Sequence, residues 1–265
     1  MKGGNFVALR GLQRVYREYG AVNNIDVLLV SDEETGSDDS KALTQKLASN
    51  YDACMVFEAA GSDHEIVVGR KGVATIKIEL YGRAAHAGNH YEEGINANLA
   101  AAKLLLALTD LTSLNVGTTV NVGKVEGGIG ANTISPHATL MVEARFTQPF
   151  ERDRILDQIH YLANERWVDG VTVKVSGGLQ RDVMVPSHAQ KDFVEQINAL
   201  LGYRLKTELR GGVSDANVTS ATGVPTLDGW GPFGDGDHTV NERALKSSFE
   251  RRIDEVYKVF ASYQS

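Results

Sequence analysis

The hydrophobic and polar positions at the start of the chain predict helices that alternate with buried strands. Residues 2–19 carry a wide apolar stripe at helical spacing, and Gly20 follows as a C-cap. Residues 24–32 hold a nearly continuous apolar run, which predicts a strand covered on both faces. Residues 37–47 predict a helix, and residues 53–59 predict a second apolar strand. This alternation, which returns after residue 180, indicates an α/β layer.

The middle of the chain has a different pattern, in which strands alternate apolar and polar positions. Its elements follow in the order βαββαβ, which is typical of a split ferredoxin-like unit. We therefore expect an inserted domain at residues 69–179, between the two parts of an α/β domain at residues 1–68 and 180–265. The elements of the insert are predicted at residues 72–80, 96–111, 118–124, 133–146, 150–167 and 171–175.

Composition and charge exclude several classes of function. The chain has 265 residues, of which 42% are hydrophobic and 23% are charged, a profile typical of a soluble globular protein. A net charge of −7 gives no general attraction for nucleic acid, and no apolar stretch approaches the roughly 20 residues that cross a membrane. The lone Cys54 excludes an intramolecular disulfide and a thiolate metal cluster. A metal would therefore be held by His, Asp and Glu.

Carboxylates follow two of the predicted strands, at the end of a sheet where α/β proteins place their ligands. Glu33 and Glu34 are adjacent after the first strand, and Glu58 follows the second. One such carboxylate can bind a divalent metal while its neighbour takes a proton from the attacking water. Considered alone, a solvated loop that caps the next helix and a surface acid explain these residues equally simply.

Two histidines lie in glycine-rich loops. His238 stands next to carboxylates, an arrangement that suits a zinc ligand, and His86 is flanked by small residues between Gly82 and Gly88. Taken alone, each is also explained as an exposed loop histidine. The glycine-rich segment at residues 127–133 lacks a nucleotide-binding spacing and predicts a hairpin turn.

The order of these sites resembles the dizinc aminoacylase and carboxypeptidase family. That family includes acetylornithine deacetylase, succinyl-diaminopimelate desuccinylase and the glutamate carboxypeptidases, and the start of this chain looks most similar to the last group. The ordered series is Lys2-Gly3-Gly4-Asn5, Asp-Glu-Glu-Thr-Gly-Ser at residues 32–37, Glu58, residues 82–88 with His86, Asn132, Arg145, Arg-Gly-Gly-Val-Ser-Asp-Ala at residues 210–216, and His238. The resemblance implies a zinc-exopeptidase-like three-layer α/β domain with an inserted ferredoxin-like dimerisation domain.

The resemblance also implies a role for each matching residue. Glu33 takes the position of the general base, Glu34 and His238 those of ligands to one zinc, and Glu58 that of a ligand to the other. His86 takes the position of a residue that stabilises the oxyanion in the partner subunit of a homodimer. The positions that bind the substrate or its carboxylate are matched by Asn132, Arg145, Arg181 and, more weakly, Arg210. The implied reaction is hydrolysis of an amide bond in a small peptide or N-acyl amino acid with a free carboxylate, using two Zn2+ ions per subunit.

The sequence departs from the family pattern at its start. In the family, an aspartate that bridges both zincs stands just ahead of the Lys-Gly-Gly helix start, and a His-x-Asp motif lies further upstream. Because this sequence begins at Met1, we expect an N-terminally truncated catalytic domain, a partial or absent zinc site and impaired activity. Any signal peptide would lie in the missing part, which leaves cytoplasm and periplasm both open.

Two other functions compete with this interpretation. The chain could be a catalytically inactive relative with a binding or regulatory role. It could also be a non-metal hydrolase with Ser31 or Ser214 as nucleophile, although no Gly-x-Ser-x-Gly elbow is present.

Overall fold

The computed structural model describes residues 2–264 of the chain. Its α-helices are α1 (Lys2–Tyr19), α2 (Lys41–Ala48), α3 (Ala97–Thr109), α4 (Pro149–Asn164), α5 (His188–Leu201), α6 (Asp215–Ser220) and α7 (Lys246–Ala261). Its strands are β1 (Cys54–Met55), β2 (Ile66–Arg70), β3 (Gly72–Tyr81), β4 (Thr119–Gly127), β5 (His137–Phe146), β6 (Thr172–Arg181), β7 (Thr207–Arg210), β8 (Thr226–Leu227), β9 (Gly234–Asp235) and β10 (Arg243–Ala244). None of these helices is both long enough and apolar enough to cross a bilayer.

The chain divides into two compact units. The first, here called the α/β unit, comprises the residues up to Arg70 and those from Met184 onward. The second, here called the insert unit, is Lys71–Val183. Each unit is described separately below.

The insert unit is built on a four-stranded antiparallel sheet in the order β4-β5-β3-β6. Alternate residues of β3 and β5 are buried, as expected for strands covered on one face, and α3 and α4 pack against this sheet. The βαββαβ order of the insert and the mixed α/β class of the chain are therefore confirmed. The buried positions of β5 are Ala138, Leu140, Val142, Ala144 and Phe146.

The α/β unit contains short parallel strand pairs between amphipathic helices. β1 pairs with β8 and β2 pairs with β7, both in parallel, while β9 and β10 form an antiparallel pair. Helix α1 packs along α7, and a Cβ atom at Gly11 would lie 2.8 Å from Cγ1 of Val256, so glycine permits the close approach of the two helices. The apolar core joins residues of α1, α5 and α7 to the fully buried Trp230.

The strand predicted at residues 24–32 is not observed. This segment has no regular structure, and Val27, Leu28 and Leu29 are 45%, 44% and 63% exposed. A strand exists only where its backbone pairs with another strand, and none of the described strands pairs with this segment. Hydrophobicity alone therefore predicted burial that the described residues do not provide.

Two further boundaries differ from the sequence prediction. Helix α2 begins at Lys41 rather than at residue 37, because Ser37 has a left-handed backbone (φ 58°) that cannot continue a helix. The carboxylate of Asp32 instead accepts hydrogen bonds from the N–H groups of Asp39 and Ser40, both at 3.0 Å. The second predicted strand is shortened to the two residues of β1.

Candidate metal-binding and catalytic site

Glu58, which lies three residues after β1, is held in place through its backbone. Its N–H donates to Oδ1 of Asp228 at 3.2 Å, and its carbonyl accepts from the N–H of Gly231 at 2.8 Å. The N-terminal turn of α1 approaches the preceding residue so closely that a Cβ atom at Gly4 would lie 1.8 Å from the carbonyl oxygen of Phe57. The position of Glu58 is therefore determined by contacts on both sides of its strand.

The side chain of Glu58 lies in an electrostatically unfavourable environment. Burial, followed by the negative charges of Asp228 and Glu33, raises its pKa from 4.5 to about 7. Charges of the same sign in a partly buried region favour the binding of a proton or a cation. A divalent cation is therefore a chemically suitable partner for this carboxylate, and the same effect shows that Glu33 and Glu58 lie near one another.

Asp228 and Arg70 form a buried ion pair behind Glu58. Both Nε and Nη2 of Arg70 lie 2.8 Å from Oδ2 of Asp228, and both side chains are almost fully inaccessible to solvent. The sequence reasoning missed this pair. One signal could have found it: Asp228 directly follows β8, and β8 is the parallel neighbour of the strand that precedes Glu58.

The loop that carries Glu33 and Glu34 is a single 3-10 turn closed by Gly36 in a left-handed conformation (φ 114°). Hydrogen bonds from Ser40 hold the pKa of Asp32, at the start of this loop, below its usual value. The two exposed side chains of Glu34 and His238 approach each other, with 3.9 Å between Oε2 and Nε2. Two donors on one zinc are about 3.3 Å apart for bond lengths near 2 Å, so a small adjustment would let this pair share an ion.

The donor set fits a divalent cation in part. Glu34 and His238 form one pair of neighbouring donors, while Glu58 with Glu33 forms a second acidic position. Within residues 2–264, no three His, Cys, Asp or Glu side chains are grouped closely enough to enclose a metal ion. The described residues therefore supply fewer ligands than the four of a usual zinc site.

In the insert unit, His86 is held as a hydrogen-bond donor. Its Nδ1 atom accepts from the N–H groups of Gly88 and Asn89, both at 3.2 Å. A ring nitrogen that accepts carries no proton, so the proton of the neutral imidazole is on Nε2. Asn132 lies beside this loop, because its carbonyl accepts from the N–H of Ala87 at 2.9 Å.

The three arginines predicted to bind substrate lie at separate places. Arg145 on β5 and Arg181 on β6 stand on either side of Val73 in one cross-strand row of the insert sheet. Arg145 is paired with Glu143 at 2.8 Å, and Arg181 is buried. In the α/β unit, Arg210 pairs with Glu208 at 2.7 Å and donates to the carbonyl of Ala59 at 2.8 Å, which places it one residue from Glu58.

The candidate nucleophiles are poorly placed for non-metal catalysis. Ser214 is fully buried and donates to Asp228 at 2.6 Å, while Ser31 is exposed in the irregular segment before the acidic turn. Burial raises the pKa of the Cys54 thiol to about 11, which leaves it uncharged at neutral pH. These contacts give no support to a serine or cysteine hydrolase.

Comparison with known proteins places this geometry in a family. The sequence pattern of the peptidase dimerisation domain of M20 peptidases matches residues 68–171. Carboxypeptidase G2 of Pseudomonas sp. (strain RS-16) is 29% identical over 260 residues, which cover 95% of this chain and 62% of that protein. The chain belongs to the M20 peptidase family. The family consists of peptidases and related amidohydrolases, so the enzyme class expected from the sequence is confirmed at the level of the family.

Solved M20 structures have the same fold. A tripeptidase from Staphylococcus aureus is 25% identical with a TM-score of 0.71, covering 87% of this chain and 62% of that chain. Aminopeptidase PepT from Bacillus cereus is 24% identical with a TM-score of 0.78, covering 97% of this chain and 69% of that one, and it supports the fold alone. The chain spans about three fifths of the length of carboxypeptidase G2, as it does of the tripeptidase.

Membership of the M20 family implies a metal cofactor and suggests a homodimer. Glu34, Glu58 and His238 are the described residues whose chemistry and positions suit the metal. The dimerisation domain that matches residues 68–171 lies mainly within the insert unit.

Proposed function

We propose that this chain takes part in the metal-dependent hydrolysis of an amide bond in a small peptide or N-acyl amino acid with a free carboxylate. The observation that supports this most directly is the cluster of acids after β1 and β8, where Asp228 and Glu33 act on the buried Glu58. The approach of His238 to Glu34 adds a second pair of donors. Family membership provides the class of reaction.

In the proposed mechanism, Glu34, Glu58 and His238 hold divalent zinc, which would supply a water of lowered pKa and a Lewis acid for the carbonyl. Glu33 accepts the proton of the attacking water and delivers it to the leaving amine. His86 donates from Nε2 to the oxygen on which negative charge develops, acting in the site of a partner subunit. Asn132, Arg145, Arg181 and Arg210 are proposed to bind the substrate or its carboxylate, for which a guanidinium offers paired hydrogen bonds.

The small number of donors leads to a further part of this proposal. Because no group of three donors surrounds one point within the described residues, we propose that this chain alone binds zinc weakly and hydrolyses slowly. The same observation favours the alternative that the chain is a catalytically inactive relative with a binding or regulatory role. Metal binding and turnover, measured separately, distinguish the two.

We also propose that the insert unit pairs two copies of the chain. Strand β4 lies at the edge of the sheet, and the adjacent surface of α3 is apolar, with Leu99, Leu106 and Val125 exposed. A second copy of the same surface could extend the sheet and cover these side chains. The match to a dimerisation domain supports this occupant over an unrelated partner.

The catalytic proposal is tested by Glu33→Gln, with metal content and hydrolysis of N-acyl amino acids and dipeptides measured at saturating zinc. Loss of the base should lower turnover by about 10²- to 10⁴-fold and leave metal content unchanged. Glu58→Gln should instead lower metal content. Asp38→Asn, which removes an exposed acid from the same loop, is the matched control and should change neither quantity.

Two results would contradict this function. Equal turnover in the wild type and Glu33→Gln would remove Glu33 from the mechanism. Full metal loading without turnover of any amide would favour the inactive binding protein.

A further inference from the structure

Ser214 and Asp215, at the start of α6, touch both acidic segments of the proposed site through buried hydrogen bonds. The hydroxyl of Ser214 donates to Oδ2 of Asp228 at 2.6 Å. The carboxylate of Asp215 accepts from the hydroxyl of Ser37 at 2.7 Å. These two residues are adjacent in sequence, so one dipeptide contacts two segments that are far apart along the chain.

Each of these bonds continues to a proposed functional residue. Asp228 accepts the backbone N–H of Glu58 at 3.2 Å. Ser37 closes the turn that contains Glu33 and Glu34, since its own N–H donates to the carbonyl of Asp32 at 2.8 Å. A continuous path of hydrogen bonds and covalent bonds therefore joins the Glu33–Glu34 turn to Glu58.

The path is buried and anchored at both ends. Ser37, Ser214 and Asp228 have no exposed surface. Asp228 is fixed by Arg70, which also donates to the carbonyl of Gly212 at 2.8 Å, just before the dipeptide. Hydrogen bonds in such surroundings are stronger than in water, and removal of one partner leaves an unsatisfied polar group.

The start of α6 is itself held in a fixed geometry. The hydroxyl of Ser214 accepts from the N–H of Ala216 at 3.1 Å, and the side chain of Asn217 accepts from the N–H of Ser214 at 3.0 Å. This reciprocal cap leaves the dipeptide little freedom to rotate. Movement of one acidic segment is therefore transmitted to the other.

We propose that Ser214 and Asp215 are positioning residues that set the distance between the Glu33–Glu34 turn and Glu58. The proposal rests on the proposed function of these acids. A metal site requires donor positions within a few tenths of an ångström, and the Glu33–Glu34 turn is an exposed loop that has no such precision by itself. The Ser214–Asp215 clamp supplies that precision from a buried part of the α/β unit.

The test uses Ser37→Ala and Ser214→Ala, which open the path at opposite ends, together with the double variant. Cobalt(II) and zinc affinities are measured on the full chain by competition with a chromophoric chelator. Each single change should weaken metal binding by about 10- to 100-fold, as expected for groups that orient ligands. The double variant should bind no more weakly than the poorer single variant, because one break already disconnects the two segments.

Ser220→Ala is the matched control, since this hydroxyl on the same helix donates only to the carbonyl of Asn217. It should bind metal like the wild type. Multiplying losses in the double variant, or wild-type affinity in a folded Ser214→Ala protein, would overturn the clamp. If Ser214→Ala does not fold, a normal affinity in Ser37→Ala overturns it equally.

Backbone hydrogen exchange separates failure of the clamp from failure of the proposed function. Without any metal, Ser214→Ala should accelerate exchange at Glu58, and at Asp39 and Ser40 whose N–H groups bind Asp32. If the wild type binds no divalent cation, the proposed function fails while this measurement still decides the clamp. Unchanged exchange in both segments would refute the clamp even if metal binding were confirmed.

Discussion

At the scale of single residues, the position of Glu58 depends on a neighbour without a side chain. The closest approach of α1 to this strand is at Gly4, where an added Cβ atom would meet a backbone carbonyl. A flexible side chain could move aside from such an atom, whereas the backbone of Phe57 cannot move without displacing Glu58 next to it. Gly4 therefore contributes to the site although it carries no chemistry.

Gly4→Ala should destabilise the α/β unit and weaken metal binding together. Overpacking of this kind costs about 1–3 kcal/mol, more than the gain from replacing glycine by alanine inside a helix. Thermal unfolding and the chelator competition measure the two effects. Gly211→Ala is the control, because a Cβ atom there meets nothing within 4 Å. Normal stability in Gly4→Ala would show that α1 can shift away from the strand without cost.

The residues that the sequence did not reveal are those defined by contacts between distant segments. Glu33, Glu34 and His238 stand in loops whose composition already indicates metal chemistry. Asp228 and Arg70 lie 158 positions apart, and only the pairing of β1 with β8 brings the acid beside Glu58. Periodicity and local composition contain no information about such a pairing, so the buried ion pair was missed.

At the scale of secondary-structure elements, the accuracy of the sequence prediction depended on whether an element's partners are themselves regular. Helix α1 has the predicted bounds, and the insert strands alternate as predicted, because helix packing and antiparallel pairing leave a local periodic pattern. The apolar segment at residues 24–32 has the composition of a buried strand but no pairing among the described strands. Composition indicates that a segment suits burial, and pairing decides whether a strand forms.

Glu151 connects two elements of the insert unit and should make its stability depend on pH. This buried carboxylate at the start of α4 pairs with Arg154 at 2.7 Å and accepts from Thr118, next to β4, at 2.6 Å. The bond with Arg154, reinforced by Thr118, lowers its pKa from 4.5 to about 2. Because the folded pKa is the lower one, the stabilisation is fully present above pH 4.5 and is lost as pH falls towards 2.

Glu151→Gln should remove most of this dependence. We expect a loss of roughly 1–3 kcal/mol at neutral pH, the value of a hydrogen bond to a charged group, and a smaller loss near pH 3. Thermal unfolding followed by circular dichroism between pH 7 and pH 3 measures the difference. Asp157→Asn, which changes an exposed carboxylate on the same helix, is the control. An equal loss at both pH values would show that Glu151 acts through packing rather than charge.

At the scale of the whole molecule, the two units divide the proposed work. The α/β unit contains Glu33, Glu34, Glu58 and His238, while the insert unit contains His86 and the surface proposed to pair two copies. The general division was visible in the sequence as a change from continuous apolar runs to one-sided alternation. The surface was not, because the sequence does not tell which edge of the sheet is left unpaired.

The dimer is tested by placing a charge on the proposed surface. Leu106 on α3 is 65% exposed, and Leu106→Glu should convert a dimer into a monomer, since a carboxylate buried against its copy would be desolvated and would face a like charge. Sedimentation velocity over a range of protein concentrations measures the change. Leu179→Glu is the matched control, because this leucine lies on β6 at the opposite edge of the same sheet. Loss of dimer in Leu179→Glu alone would move the interface to that edge, and a wild-type monomer at high concentration would refute pairing through the insert unit.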